Sequence, residues 1–261
     1  MALNFGDFIE ISTSSSVGDE IFFDGISADW KNNSIQTAID LFRSKTLIGK
    51  YFRIFVKKNI PIGSGFGGGS SNGAVVLREV NRICGGIFSA TELEVLSGEI
   101  GADCPFFIRG LPSIVGGIGD VCWPIDKKMT SALENYDLII FKPPFSVNTS
   151  EAYAALRENF RRLYVTKEEA ENKFFELREA AISKKGTLPL FNTFAEIFFA
   201  DHENLANLCH DLRNIGASTM LTGSGSGFFC LTKGSSDVVE KKIRRTLGED
   251  VFLKKTSFIL R

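Results

Sequence analysis

Apolar and polar positions alternate from Asn4 to Ser12, the period-two pattern of a half-buried strand, and Glu20 to Phe23 reads as a second strand paired with it. Asn33 is placed to cap a helix on which Ile35, Ala38, Ile39 and Phe42 fall along one face. Tyr51 to Val56, aromatic and β-branched, predicts a strand that ends at Lys57-Lys58-Asn59 and delivers the chain into a glycine-dense segment, Gly63 to Gly69. A second helix is expected from about Ser71 to Ile83, with Val76, Val80 and Ile83 on one side and Gly85-Gly86 as its stop. Ser89-Ala90-Thr91-Glu92 is a capping box for a third helix that carries Leu93, Leu96 and Ile100 inward and ends at Gly101. Pro105 disfavours helical geometry at Cys104, so Asp103 is expected in a tight turn. Ile114 to Gly119 returns as a strand.

Around Asn135 the pattern changes. Tyr136 to Lys142 reads as a strand broken by Pro143-Pro144, and helices follow over Ser150 to Leu163 and Lys167 to Ser183, the second opened by the capping box Thr166-Lys167-Glu168-Glu169. Beyond them come a helix over Glu203 to Asn214, two strands around Gly223 to Gly227, a helix over Asp237 to Leu247 and a strand over Val251 to Phe258. That closing αββαβ order fits a ferredoxin-like half in which helices cover one face of a sheet. The expected fold is therefore α+β in two halves, a βαβ-type half over residues 1–134 that carries the glycine loop and a ferredoxin-like half over residues 135–261.

The composition narrows the function classes. A net charge of −1 supplies no electrostatic reason to expect a nucleic-acid or membrane partner. No run of about 18 apolar residues occurs, and the first residues carry Asp7 and Glu10 without a basic region ahead of an apolar stretch, so neither a membrane span nor a leader is expected. The five cysteines stand singly, which suits free thiols in a reducing cytoplasm. His202 and His210 read as polar surface residues on a helix rather than metal ligands, and Lys57-Lys58 and Arg244-Arg245 as solvated faces of a strand and a helix.

The strongest chemical signal is Pro61-Ile62-Gly63-Ser64-Gly65-Phe66-Gly67-Gly68-Gly69-Ser70-Ser71-Asn72. Dense glycine removes the Cβ atoms that would keep a ligand off the backbone and permits positive φ, which lets successive N–H groups converge. The helix that follows adds unpaired N–H groups and its positive dipole end, so phosphate is the natural occupant, and Ser70 and Ser71 can add hydroxyls. A flexible loop with a serine cap is the bland alternative, but strand, glycines and amphipathic helix in that order favour phosphate. A Walker A loop fails, because Gly69 stands where its lysine is needed, after the second glycine. Gly63 to Gly68 does satisfy the literal G-x-G-x-x-G of dinucleotide-binding proteins, so a nicotinamide-dependent oxidoreductase stays open as a distant alternative.

The loop resembles the P-x-G-x-G-L-G-G-G-S-S-N form of the second GHMP-kinase motif, in the version of the diphosphocytidyl-methylerythritol kinase branch. Ile100-Gly-Ala-Asp103-Cys-Pro-Phe-Phe107 is similar to that branch's G-A-D-x-P-F-F, and Gly116-Gly-Ile-Gly119-Asp120 to its G-x-G-E. Pro143-Pro-Phe-Ser-Val-Asn-Thr149-Ser-Glu-Ala-Tyr153 is similar to its P-x-x-x-x-x-T-x-x-A-Y, and Leu221-Thr-Gly223-Ser224-Gly225-Ser-Gly to the third superfamily motif. The family also opens with an A-K-I-N-L strand and a D-G-Y-H segment, which belong upstream of Phe5-Gly6-Asp7. This chain begins at Met1, and we expect it to be truncated at its N-terminus.

The resemblance implies transfer of the γ-phosphoryl group of ATP to a tertiary hydroxyl of a cytidine diphosphate-linked methylerythritol, by positioning and charge stabilisation. Pro61 to Ser71 would then cradle the triphosphate, with Mg²⁺ as the partner of ATP rather than a caged ion. Asp103 would be the base or orienter for the substrate hydroxyl; a turn aspartate that satisfies nearby N–H groups is its structural alternative. Gly223-Ser224-Gly225 would bring a second turn to the phosphates or substrate, and a plain hairpin turn is nearly as good a reading. Phe191 is a candidate to stack on cytosine, although a buried core phenylalanine is the safer one. A monomer or weak homodimer is expected. Another GHMP small-molecule kinase, or a non-catalytic binding protein of the same fold, stays open.

Overall fold

Strand β3 (Tyr51–Lys57) places Phe52, Ile54 and Val56 on one buried face, and it takes the centre of the first sheet. On one side it pairs antiparallel with β1 (Phe8–Ser14), from Phe8 opposite Lys57 to Ser14 opposite Tyr51. On the other it pairs parallel with β2 (Glu20–Asp24). The expected pairing of β2 with β1 is therefore wrong. A parallel βαβ crossover through α1 (Ser34–Lys45) brings β2 and β3 together, and the strand with the most buried apolar side chains lies between its two neighbours.

The computed structural model describes residues 1–24, 33–119, 121–159, 163–183 and 186–260, and the chain divides into two compact units. One unit comprises Met1–Ile60, Gly67–Ile125 and Ile259–Arg261; the other comprises Pro61–Phe66 and Asp126–Phe258. In the first, α1 and α2 (Gly68–Ile83) cover the sheet. Ile35, Ile39 and Phe42 of α1 join Ala74, Leu77 and Val80 of α2 and the β3 side chains in one core. Each large side chain buried there contributes roughly 1.5–3 kcal/mol of transfer free energy. Helices α3 (Ala90–Ser97) and α4 (Cys104–Arg109) and the hairpin β4 (Ser113–Gly116) to β5 (Val121–Pro124) complete the unit. The α3 capping box forms as expected, with Ser89 and Glu92 satisfying each other's backbone N–H groups. Cys104 is helical, against expectation, because Pro105 sits in the first turn, where no N–H is needed.

The second unit opens with α5 (Lys127–Leu133) and β6 (Asp137–Lys142), followed by α6 (Thr149–Glu158), α7 (Lys167–Ile182), α8 (Ala195–Asp201) and α9 (Glu203–Asn214). The helix expected through Leu163 ends at Glu158, and residues 160–162 lie outside the described ones. Strands β7 (Ser218–Leu221) and β8 (Phe228–Thr232), helix α10 (Ser236–Leu247) and strand β9 (Phe252–Thr256) complete it. The sheet order is β7-β8-β6-β9 with every neighbour antiparallel, the ferredoxin-like arrangement. Ile139, Phe141, Phe228 and Cys230 pack from the sheet onto Leu205, Leu208, Leu212, Val239 and Ile243 of α9 and α10. His202 is not a surface helix residue. It stands between α8 and α9, half-buried, with its ring 4.6 Å from that of Phe145 and 4.5 Å from that of Phe198.

Candidate functional site

Helix α2 starts at Gly68 rather than near Ser71, because Gly67 in the left-handed conformation (φ 73°) turns the chain from loop to helix without a side-chain cap. The first helical bond is Ser71 N–H to the Gly67 carbonyl, at 2.9 Å. By helix geometry the N–H groups of Gly68, Gly69 and Ser70 have no acceptor within the helix. Asn33, Ser89, Asp126, Asn148 and Thr166 each cap their own helix with a side chain; Gly67 offers none, and the first turn of α2 holds no acidic residue. No residue of the first turn of α2 neutralises the positive end of its dipole.

This helix start opens on a cleft of about 320 Å³ in the first unit, lined by Asn33, Ser34, Lys58, Gly69, Ser70 and Asn72 over the apolar Phe23, Ile35, Ile100 and Cys104. Ser34 Oγ donates to the Gly69 carbonyl at 2.6 Å, tying the start of α1 to that of α2. Ser71 Oγ donates to the Gly68 carbonyl at 3.1 Å and is committed to its own helix, whereas Ser70 lines the cleft. Lys58 corrects the reading of a solvated strand face: its side chain is 10% exposed and paired with Asp7. An ammonium, a helix N-terminus and hydroxyls around one cleft make it receptive to anionic oxygens.

The first half of the glycine segment belongs to the second unit, where it lies against the β7–β8 connection. A Cβ on Gly65 would stand 2.3 Å from the Thr222 carbonyl oxygen, and one on Gly227 would stand 2.3 Å from that of Ser64. Gly227 N–H donates to the Ser64 carbonyl at 2.9 Å, and Thr222 Oγ1 donates to the Gly65 carbonyl at 3.2 Å. Gly223-Ser224-Gly225 is both a hairpin connection, with Thr222 N–H donating to the Gly227 carbonyl at 2.9 Å, and a brace for the loop. Sequence reasoning missed the side chains that hold this brace. Asn192 Nδ2 donates to the Leu221 and Gly223 carbonyls, each at 2.9 Å, and the Thr149 and Ser224 hydroxyls lie 3.2 Å apart. Ser146 Oγ donates to the Ile62 carbonyl at 3.2 Å. Ser146 and Thr149 fall within the Pro143 to Tyr153 motif, the one signal that could have found them; Asn192 has none.

Asp103 occupies the turn before α4, exposed, and its carboxylate makes no capping hydrogen bond. The alternative of a turn aspartate spent on neighbouring N–H groups thus finds no support in its geometry. The next residue, Cys104, is buried and directs its thiol to the Ser70 carbonyl at 3.4 Å, which joins the Asp103 turn to the start of α2. Burial pushes the Cys104 thiol up to about 11, with the neighbouring Asp103 charge adding to the effect. Asp120 of the glycine-rich hairpin lies outside the described residues. Phe191 is not a core residue: it is 48% exposed, with Lys173 Nζ 4.3 Å from its ring centroid. Among the described residues no three His, Cys, Asp or Glu side chains gather as a metal site. The dinucleotide alternative loses its structural context, since a strand should follow the helix and α2 is followed by α3.

Comparison with known proteins sets this geometry in a family. Residues 33–111, which include the glycine segment and Asp103, match the GHMP kinases N terminal domain. The 4-diphosphocytidyl-2-C-methyl-D-erythritol kinase of Persephonella marina is 32% identical over 80% of this chain and 72% of its own length. That of Thermotoga maritima is 33% identical over 77% of this chain and 70% of its own. The chain belongs to the 4-diphosphocytidyl-2-C-methyl-D-erythritol kinase family. A solved 4-(cytidine 5'-diphospho)-2C-methyl-D-erythritol kinase has the same fold, with a TM-score of 0.73 at 24% identity, over 98% of this chain and 87% of that one. The α+β fold in two parts is thus the fold of GHMP kinases. No helix among the described residues is long and apolar enough to cross a membrane.

Proposed function

We propose that this protein transfers the γ-phosphoryl group of ATP to the tertiary hydroxyl of 4-diphosphocytidyl-2-C-methyl-D-erythritol. One observation carries the nucleotide side of the reading: an uncapped helix start, Gly68 to Ser70, opens with Lys58 on one cleft, a constellation suited to phosphate, while the acceptor is that of the relatives of this chain. Residues 61–71 hold the triphosphate in this reading, and the ATP-binding half over residues 1–134 lends its segments 61–66 and 126–134 to the compact unit of the ferredoxin-like half over residues 135–261. Mg²⁺ bound with the nucleotide would neutralise phosphate charge. The cleft fits such a guest, since the Ser70 hydroxyl is on its wall to meet a phosphate oxygen or a metal-bound water.

Phosphoryl transfer asks for in-line placement and for charge stabilisation more than for covalent chemistry. The backbone N–H groups at Gly68 to Ser70 meet phosphate oxygens at fixed positions, so no reorganisation is needed as charge shifts. Asp103 accepts the proton of the attacking hydroxyl. Its exposure and its lack of a capping bond leave both carboxylate oxygens open to that proton. Gly223 to Gly225 is the second glycine turn of this reading, for phosphate or substrate, and Phe191, exposed as it is, offers a face for cytosine. The enzyme works in the cytoplasm, as a monomer or weak homodimer, with no nucleic-acid or membrane partner.

The test is ADP release with a panel of acceptors: diphosphocytidyl-methylerythritol, mevalonate and homoserine. Turnover with the cytidine compound alone is expected. Preference for another acceptor would move the chain to a different GHMP activity, and ATP binding without turnover on any acceptor would favour a binding protein.

A further inference from the structure

The Asp7 carboxylate has a side-chain exposure of 0% and accepts four hydrogen bonds. Oδ1 takes the Asn59 and Ile60 N–H groups, each at 2.8 Å. Oδ2 takes the Asn72 amide at 2.9 Å and the Lys58 ammonium. An ionised carboxylate offers about four acceptor positions, so this one is saturated. A buried charge held so fully is costly to assemble and is retained where it fixes geometry. What it fixes is the root of the glycine segment. Lys58, Asn59 and Ile60 are the last residues before that segment, and Asn72 belongs to the helix after it. The two ends touch: a Cβ on Gly68 would stand 2.9 Å from Ile60 Cγ2 and 3.5 Å from Lys58 Nζ. Asn59 returns the contact, its amide donating to the Gly6 carbonyl at 2.9 Å.

Lys58 therefore has a fixed place. Its ammonium has three donors, of which Asp7 engages one oxygen, and the residue lines the cleft at the start of α2. We propose that Asp7 is the positioning residue of this cleft and that Lys58, held by it, is the cation that binds an anionic oxygen of the phosphoryl donor. The proposal deepens the nucleotide reading of the cleft and rests on it. Asp7 has no access to the nucleotide; it acts through Lys58 and through the spacing of Ile60 and Gly68.

Binding of ATP, tripolyphosphate and adenosine is to be measured by calorimetry at two ionic strengths, alongside thermal midpoints, for wild type, Lys58→Met, Asp7→Asn and the double variant. Lys58→Met is expected to weaken ATP and tripolyphosphate by about tenfold to a hundredfold, the loss that goes with one hydrogen bond between charged groups, and to flatten the salt dependence. Adenosine affinity stays unchanged, which a merely structural role would not predict. Asp7→Asn shows the same selective loss with a lowered midpoint. Should that variant fail to fold, Asp7→Asn/Lys58→Met decides, since it leaves no unpaired buried charge: phosphate affinity no weaker than in Lys58→Met alone shows that Asp7 acts through Lys58, and a further loss overturns that role. ATP bound by wild type and by Lys58→Met alike overturns this inference alone. Wild type that binds neither ATP nor tripolyphosphate overturns the nucleotide reading, and this inference falls with it.

Discussion

Gly65 and Thr222 approach so closely that a side-chain carbon on the glycine would sit 2.3 Å from the threonine carbonyl oxygen. Gly65 also has φ of 71°, in the left-handed region. Gly65→Ala thus meets two penalties, about 1–2 kcal/mol for the backbone conformation and about 1–3 kcal/mol for the overlap. Gly216, with φ of 85° and nothing within 4 Å of its Cβ position, carries only the first. Urea unfolding of the two variants is expected to show Gly65→Ala as the less stable by at least about 1 kcal/mol, and only that variant should lose ATP affinity. Equal midpoints would show that the 222–227 connection yields to the new methyl.

Asp103 has no structural duty that its substitution would expose. Its carboxylate is exposed and caps nothing, so Asp103→Asn should change stability by less than about 0.5 kcal/mol, as surface replacements do. Loss of a positioned base should lower kcat by about 10²–10⁴ while ATP affinity holds. Turnover near the wild-type rate would remove Asp103 from the reaction.

The contrast between these two residues shows what the sequence could reveal. Glycine announces itself, because Gly65 and Gly67 are confined by backbone geometry that no other residue adopts cheaply, and spacing alone locates the turn they build. Helices with side-chain caps were legible at their first residue, as at Ser89 and Thr166. The start of α2 leaves no such mark, because a left-handed glycine caps it without any side chain. Strand partners escaped, since pairing β2 with β3 rather than β1 depends on which strand buries most, a property of the whole sheet. Asp7 and Asn192 escaped for a related reason. Each holds groups far along the chain, the Asn59 and Ile60 N–H groups and the Asn72 side-chain amide in one case and the Leu221 and Gly223 carbonyls in the other, and neither has a local pattern.

Asp19 gives the first unit a pH dependence. Burial alone would raise its pKa, but the Arg43 guanidinium, bonded at 2.5 and 2.7 Å, and the Phe52 N–H at 2.9 Å bring it below the usual carboxylate range. A group depressed in the folded state contributes stability above its unfolded value, near 4, and loses it as pH falls through the folded one. Asp19→Asn should therefore cost about 3 kcal/mol at pH 7, the low end for a buried pair, because Arg43 is 23% exposed. By pH 3 the gap between wild type and variant should have narrowed, as read from urea midpoints across that range. A gap independent of pH would mean that the pair is not what holds Arg43.

Lys142 carries the opposite sign. Its residue is 8% exposed, and its ammonium donates to the carbonyls of Pro143, at 3.2 Å, and Phe145 rather than to a carboxylate. Burial without a counter-charge pulls its pKa below the ordinary lysine range. Between the folded and unfolded values the unfolded chain holds a proton that the folded one has released, so this lysine adds stability as pH rises through that window. Lys142→Met removes the titration and keeps the apolar stem. The Phe145 carbonyl stays satisfied, since Ser226 Oγ also donates to it at 2.6 Å. The stability of wild type relative to Lys142→Met, measured by urea unfolding, is expected to increase between pH 7 and about pH 10, the ordinary lysine value. A difference that stays flat or falls would mean that the ammonium keeps its proton as readily when folded as when unfolded.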